Sequence, residues 1–270
     1  MIRPTPEGPR SSRGRRLAGP ALAAAVALVA AGCGGSNDAG SSSTSSSGAA
    51  KQEVTVFAAA SLTAAFKDIA TQAPDLDVKY NFDGSPTLVD QINAKPDVAD
   101  VLATADQANM KKATAEGLVV ADQKIFATNT AVMILPSDNP GKVTGLNDSL
   151  NGKKLVICAA TVPCGAVARS IAQADDFTLK PVSEEQKVTD VVGKVTSGEA
   201  DAGIVFSTDA KSAGDKVRVI QMPGADKVVS KYPIALVSKA PHSAAGNAFI
   251  SVVTGEKGRA VLAKHGFTLP

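Results

Sequence analysis

The pattern of apolar and polar positions from residue 54 onward alternates between two periods. Short apolar runs typical of buried strands are followed by stretches in which apolar residues recur every three or four positions, as in amphipathic helices. The predicted strands cover residues 54–58, 77–82, 98–102, 131–135, 154–157, 202–206, 217–221 and 233–237. The predicted helices cover residues 61–72, a stretch that starts at Pro86, and residues 106–116, 165–173, 184–197, 244–254 and 257–264. This alternation favours an α/β fold with mostly parallel sheets.

Three of the predicted strand-to-helix junctions consist almost wholly of small, neutral residues. They are residues 58–61, 83–86 and 162–165. In open α/β sheets, ligands bind beyond the carboxyl ends of the strands, where helices begin. Backbone N–H groups at a helix N-terminus, two of them accompanied by a Ser hydroxyl, make an anion site without formal positive charge. A Ser that opens a helix is also an ordinary cap, so a purely structural role stays open at each junction.

The N-terminal region has the pattern of an export signal. Arg-rich residues 3–16 precede an apolar run over residues 17–32. The run ends in Val-Ala-Ala-Gly before Cys33, which is similar to a bacterial lipobox, with Ala30 where Leu is preferred. We therefore expect residues 1–32 to be a lipoprotein signal peptide and Cys33 to carry a lipid. A permanent membrane span is the alternative, but the run is short for one.

Residues 33–50 are rich in Gly and Ser and have no apolar period, which predicts a flexible tether. A lipid, a tether and a folded body together predict a protein held on the extracytoplasmic face of the cell membrane. The formal net charge of +2 is misleading, because five Arg lie in residues 1–32. The rest of the chain is slightly acidic, so nucleic acid is not an expected partner.

Two cysteines remain after Cys33 is assigned to the lipid. Cys158 and Cys164 lie six positions apart, and an exported protein meets an oxidising compartment, so a disulfide between them is expected. Two free thiols or half of a metal site are the alternatives. The metal alternative is weak because His242 and His265 are the chain's histidines and neither lies near a second His or Cys. No direct metal ligands and no cofactor are predicted.

Several segments together resemble the periplasmic molybdate-binding proteins of ABC transporters. The resemblance runs from about residue 53 to the C-terminus and is carried by VFAAASLT (56–63), FDGSPTL (82–88), DVLATADQ (100–107), VPCG (162–165), GIVFSTD (203–209), YPIA (232–235) and KHGF (264–267). It implies a two-lobe periplasmic-binding-protein fold of type II with the ligand in the cleft between the lobes. Lobe 1 would comprise residues 51–129 plus 232–270 and lobe 2 residues 130–231, with crossings near Asn129–Thr130 and Lys231–Tyr232. The implied partner is an ABC permease, and the protein is expected to be a monomer.

The resemblance also implies which residues hold the oxyanion. Ser61 and Ser85 would each give a hydroxyl and a backbone N–H, and Cys164 and Val188 a backbone N–H. Phe206 stands where the family usually has a Tyr whose hydroxyl reaches the anion. Phe cannot donate a hydrogen bond, and losing one donor to a buried charged ligand costs about 1.5–3 kcal/mol, or a tenfold to hundredfold loss of affinity. Ser207, Thr208 or a water molecule would have to substitute; otherwise the affinity falls or the preferred anion differs.

Within this interpretation the ligand is molybdate, with tungstate as the other candidate. Both are tetrahedral dianions with longer bonds than sulfate, so a rigid ring of donors selects them by size. The first alternative is a binding protein for sulfate, phosphate or a small organic acid, for which Arg169 is the nearest cation in sequence to the Cys164 loop. The distant alternative is an exported serine hydrolase, but a Gly-x-Ser-x-Gly elbow is absent, and we expect no enzyme activity.

Overall fold

The computed structural model describes residues 50–270. The predicted signal peptide (1–32), the lipidation at Cys33 and all but the last residue of the predicted tether lie outside the described residues. Within residues 50–270, no helix is both long and apolar enough to cross a membrane.

The described chain alternates strands and helices along nearly its whole length. The strands are β1 (Gln52–Ala59), β2 (Leu76–Asp83), β3 (Val101–Ala103), β4 (Lys124–Asn129), β5 (Ala131–Pro136), β6 (Leu155–Cys158), β7 (Ser183–Glu185), β8 (Ala202–Phe206), β9 (Val217–Ile220) and β10 (Ser230–Leu236). The helices are α1 (Thr63–Ala70), α2 (Ser85–Ala94), α3 (Gln107–Ala115), α4 (Pro163–Ala174), α5 (Val188–Thr196), α6 (Ser207–Ala213), α7 (Ser243–Thr254) and α8 (Glu256–Lys264).

Residues 50–270 form two five-stranded sheets, which confirms the predicted two-lobe α/β fold. The first sheet has the order β2-β1-β3-β10-β4 and the second the order β7-β6-β8-β5-β9. The prediction of mostly parallel sheets was only half right. β1 pairs in parallel with β2 and β3, and β6 with β7 and β8, but β10 and β5 run antiparallel to both of their neighbours. Strand direction depends on how the chain crosses between the sheets, which the local apolar pattern does not record.

Two strands were not predicted from the sequence, and one helix was predicted to start too early. β4 and β7 are edge strands of their sheets, and β7 exposes Glu184 instead of burying an apolar face. The predicted helix over residues 184–197 begins only at Val188. Glu184 and Glu185 are instead extended beside β6, where they form ion pairs with Arg169 and Lys194.

The chain passes between the sheets twice. β4 ends at Asn129 in the first sheet and β5 begins at Ala131 in the second. The return runs from the end of β9 at Ile220 to the start of β10 at Ser230. The residue limits predicted for the two lobes stay a prediction.

An aromatic cluster fixes the helices on the first sheet. Phe66 of α1 is fully buried and lies with its ring centroid 5.8 Å from that of Phe126 and 5.6 Å from that of Phe249. Burying a side chain of this size contributes about 1.5–3 kcal/mol. The cluster thereby fixes α1, and with it the turn that precedes α1, against the sheet.

Candidate functional site

A small cavity lies where helices begin beyond the strand ends of both sheets. It spans about 210 Å³ of space that is free of atoms, part of which is open to solvent. The cavity is lined by Ala59, Ala60, Ser61, Asp83, Gly84, Ser85, Ala105, Val162, Pro163, Cys164, Val188 and Phe206. The structure therefore brings together all five residues predicted to hold the oxyanion, from segments far apart in sequence.

Three of these residues stand at helix N-termini. Ser85 opens α2, Val188 opens α5, and Cys164 is the second residue of α4. The first N–H groups of a helix have no partner within the helix, and the helix dipole places partial positive charge there. Ser61 lies in the single 3-10 turn, Ala60–Leu62, that leads into α1. The cavity thus faces several N–H donors and carries no cationic side chain in its lining.

The hydroxyl of Ser85 is held so that it can donate into the cavity. The backbone N–H of Ala105 donates to Ser85 Oγ over 3.0 Å, and the hydroxyl of Ser230 fixes the same residue by donating to the Ala105 carbonyl oxygen over 2.5 Å. A backbone N–H can only donate. Ser85 Oγ therefore accepts at this contact, and its own proton is free for a ligand.

A disulfide shapes the loop that presents Cys164. Cys158 and Cys164 are joined with their Cα atoms 5.7 Å apart. The next residue must be Gly165, because an added Cβ there would lie 2.1 Å from the carbonyl oxygen of Ala159. The turn into α4 is therefore compact enough for its N–H groups to reach the cavity.

Arg169 supports this loop from behind. Its Nη1 donates to the carbonyl oxygens of Cys158 and Gly165 over 3.0 and 3.1 Å, and its Nη2 lies 2.6 Å from Glu184 Oε1. Arg169 is not among the residues that line the cavity. The cation that an organic-acid ligand would require is therefore used for loop structure.

Phe206 brings an apolar ring to the cavity and no donor. The residue is almost fully buried, and its backbone N–H donates to Asp209 Oδ2 over 3.2 Å. The hydroxyl of Ser207 donates to Asn129 Oδ1, and Thr208 Oγ1 accepts from Asn129 Nδ2. Neither residue lines the cavity. Asn129 binds both side chains, so of the three substitutes named for the missing hydroxyl, a water molecule is the one that these contacts leave free.

Two buried groups close to the cavity were not predicted from the sequence. Tyr232 is fully buried, and its hydroxyl oxygen lies 3.0 Å from Ser61 Oγ. Asp209 is buried beside Phe206, and burial raises the pKa of its carboxyl to about 7, an effect reduced by the hydrogen bond from the Phe206 N–H. The sequence places Tyr232 at a lobe crossing but carries no signal that it reaches Ser61.

Asp83 is the one charged residue among the described residues that line the cavity. Its Oδ1 accepts the backbone N–H of Gly84 over 2.8 Å. Asp83 belongs to one of the junctions that are almost wholly neutral in sequence, and its role as an acceptor was not predicted. It is the feature of the lining that does not fit a site made only of donors.

The histidines lie elsewhere. His242 Nδ1 is 3.2 Å from Asp100 Oδ2, and His265 Nε2 is 2.8 Å from Asp68 Oδ2. Neither lines the cavity, so neither is placed to act as a base toward Ser61 or Ser85. No group of three or more His, Cys, Asp or Glu side chains that could hold a metal ion occurs within the described part of the chain.

Comparison with known proteins identifies the class. Residues 54–268 match the family model described as bacterial extracellular solute-binding protein. The chain therefore belongs to the bacterial extracellular solute-binding protein family, whose members are components of transport. Within it, the chain is 38% identical to Molybdate-binding protein ModA of Mycobacterium tuberculosis over 81% of this chain and 85% of that protein. It is 32% identical to Molybdate-binding protein ModA of Escherichia coli over 80% of this chain and 89% of that protein.

A solved structure supports the same fold. The periplasmic molybdate-binding protein of Azotobacter vinelandii superposes with a TM-score of 0.68 at 18% identity, covering 80% of this chain and 99% of that one. The two curated relatives confirm the resemblance to molybdate-binding proteins that the sequence motifs indicated.

Proposed function

We propose that this protein captures molybdate, and also tungstate, in the cavity between the two sheets and delivers it to an ABC permease. It works as a monomer, without a cofactor and without catalysis. Ser61 and Ser85 donate from their hydroxyls and backbone N–H groups, Cys164 and Val188 donate from backbone N–H groups, and Phe206 closes the cavity with its ring. Both relatives named above are molybdate-binding proteins.

The observation that carries the proposal is that both sheets contribute neutral hydrogen-bond donors to the cavity lining. Ser61 and Ser85 follow strands of the first sheet, whereas Cys164 and Val188 follow strands of the second. Rigid N–H donors on opposite walls set the size of the anion that satisfies all of them. A smaller anion such as sulfate leaves some buried donors unpaired, at about 1–3 kcal/mol each.

The test is a calorimetric titration of the purified full chain, stripped of bound anion, with molybdate, tungstate, sulfate and phosphate in turn. We expect tight one-to-one binding of molybdate and tungstate and no heat from the other two. If molybdate does not bind and sulfate or phosphate does, the proposed specificity is wrong. If none of the four anions binds, the whole proposal is refuted.

A second candidate ligand is hydrogen phosphate, which Asp83 specifically favours. A protonated oxyanion needs an acceptor for its proton, and the Asp83 carboxylate is the acceptor side chain in the lining. Phe206 also removes a donor that a full molybdate shell would use. If phosphate binds and Asp83→Asn abolishes that binding, the second candidate replaces the first. If Asp83→Asn leaves molybdate binding in place, Asp83 serves only to hold the Gly84 N–H.

Export and membrane attachment are part of the same proposal. We infer that residues 1–32 are removed as a signal peptide, that Cys33 carries a lipid, and that residues 33–50 tether lobe 1 (51–129 plus 232–270) and lobe 2 (130–231) to the membrane. The Arg-rich start, the apolar run and the small residues before Cys33 support this. Expression of wild type and Cys33→Ser in a bacterial host, followed by fractionation, tests it: the wild type should sediment with membranes and the variant should not. Equal distribution of both would refute lipidation at Cys33.

A further inference from the structure

A buried hydrogen-bond network ends on Ser61 and begins at the crossing between the sheets. Asn129, at the end of β4, has its Nδ2 2.8 Å from Thr208 Oγ1 and 3.4 Å from the Tyr232 hydroxyl oxygen. Tyr232 in turn lies 3.0 Å from Ser61 Oγ. Asn129 and Tyr232 belong to the first sheet, and Thr208 is the second residue of α6, the helix that follows β8 of the second sheet.

The orientation of the Asn129 amide in this network follows from one backbone group. The N–H of Thr130 is 3.0 Å from Asn129 Oδ1. Because a backbone N–H can only donate, this contact fixes Oδ1 as the acceptor and so fixes which way the Asn129 amide faces. The Ser207 hydroxyl, 2.7 Å away, donates to the same oxygen. The amide Nδ2 therefore points toward Thr208 and Tyr232 and donates to both.

The Tyr232 hydroxyl has two hydrogen-bond partners among the described residues, Asn129 Nδ2 and Ser61 Oγ. Asn129 Nδ2 can only donate, so Ser61 Oγ is the partner available to accept the Tyr232 proton. Burial raises the pKa of the Tyr232 hydroxyl further above its ordinary value, so the hydroxyl stays protonated throughout the physiological range. Three aromatic rings hold the side chain in place, with the centroids of Phe206, Phe126 and Phe267 5.8, 6.3 and 5.4 Å from that of Tyr232.

We propose that Tyr232, oriented by Asn129, is a positioning residue that fixes Ser61 Oγ as an acceptor on its buried side, so that the Ser61 proton is directed at the bound oxyanion. This inference rests on the proposed oxyanion function. Ser61 Oγ would then accept from Tyr232 as Ser85 Oγ accepts from the Ala105 N–H, and both serines would direct their own protons at the anion. An anion that needs an acceptor at Ser61 for its own proton is thereby disfavoured.

A double-mutant cycle on the full chain tests the proposal. Tyr232→Phe should weaken molybdate binding about tenfold, the effect of one lost or misdirected hydrogen bond, and should lower the ratio of molybdate to phosphate affinity. In a Ser61→Ala background, Tyr232→Phe should change molybdate affinity less than twofold, because the group through which it acts is gone. Equal effects in both backgrounds would mean that Tyr232 contributes packing alone, and the proposal would be wrong.

The matched control is the chain's other tyrosine. Tyr80→Phe removes a hydroxyl that donates to the Phe66 carbonyl oxygen over 2.6 Å, away from the cavity lining. It should leave molybdate affinity and anion selectivity unchanged. If it reduces affinity as much as Tyr232→Phe does, the effect is one of general stability and the proposal fails.

A second measurement needs no ligand and therefore separates this inference from the proposed function. In the wild-type protein, the Tyr232 hydroxyl proton should exchange slowly in NMR spectra and show a nuclear Overhauser effect to the Ser61 β-protons. In Asn129→Asp the new carboxylate can accept the Tyr232 hydroxyl proton. The nuclear Overhauser effect between that proton and the Ser61 β-protons should therefore disappear. If the wild type binds none of the anions, the proposed function fails, while these spectra still decide the direction of the bond. A wild-type spectrum without the Ser61 contact would overturn the inference.

Discussion

The backbone at Gly84 and the carbonyl oxygen of Gln186 meet across the cleft so closely that a Cβ atom added at Gly84 would lie 2.0 Å from that oxygen. Gly84 precedes α2 in the first lobe, and Gln186 precedes α5 in the second. The backbone at Gly84 is extended, with φ −63°, so glycine is required at this position for the close approach and not for its backbone angles. The relationship describes a closed cleft.

Gly84→Ala should therefore hinder closure without disturbing either lobe. We expect molybdate affinity to fall at least tenfold, because donors from both lobes can no longer surround the anion together, while the melting temperature of the ligand-free protein changes little. Titration calorimetry and small-angle scattering measure the two effects. Gly193→Ala in α5 is the control, since an added Cβ there meets nothing within 4 Å. Unchanged affinity in Gly84→Ala would mean that binding does not need this closed form.

Ser85→Ala should weaken molybdate binding tenfold or more. It removes a hydroxyl donor and also leaves the buried Ala105 N–H unpaired, at a cost in stability of about 1–3 kcal/mol. Ser149→Ala is the matched control, because its Oγ also accepts a backbone N–H, from Thr144 over 2.9 Å, but at an exposed site. Calorimetry and thermal unfolding of both variants separate binding from stability. Wild-type affinity in Ser85→Ala would place the anion elsewhere.

Phe206→Tyr should tighten molybdate binding about tenfold, because the added hydroxyl would supply a donor that the Phe206 ring lacks. The experiment compares affinities for molybdate and sulfate in wild type and variant. An equal gain for both anions would show a nonspecific donor, and no gain would show that the ring faces away from the anion or that another donor already fills the place.

Asp209→Asn should change how stability depends on pH. The folded pKa of about 7 lies above the unfolded value near 3.8, so the folded state binds the extra proton between these values. This contribution to stability is fully present below pH ~4 and is lost as the pH rises through ~7. Relative to the wild type, Asp209→Asn should therefore be more stable at pH 8 than at pH 5 by up to about 3 kcal/mol, since about two pH units separate pH 5 from the folded pKa of about 7 and each corresponds to about 1.4 kcal/mol.

Denaturant unfolding of both proteins at several pH values measures the difference. Asn retains an oxygen that can accept the Phe206 N–H, so the helix start should survive the change. If the free energies of unfolding of wild type and Asp209→Asn differ by the same amount at pH 5 and at pH 8, the Asp209 carboxyl is ionised in the folded protein over this whole interval.

Much of the local structure was predictable because it depends on near neighbours. The predicted strand over residues 202–206 matches β8, and the predicted helix over residues 244–254 differs from α7 by one residue. β7 could not be predicted in this way. Its stability comes from pairing with β6 and from the Arg169–Glu184 and Lys194–Glu185 ion pairs, whose partners lie outside the segment.

The sequence by itself determined the order of the elements and the chemistry of the junctions, since small neutral residues before a helix leave N–H groups exposed whatever the surrounding fold. Tertiary structure decided the directions of β5 and β10, the commitment of Arg169 to a loop, and the contact of Tyr232 with Ser61, which lies 171 residues away in sequence. The physical reason is the sequence separation over which each interaction acts. Helix periods and caps are set over a few residues, whereas the direction of a hydroxyl proton depends on every group within hydrogen-bond distance, and folding alone brings those groups together.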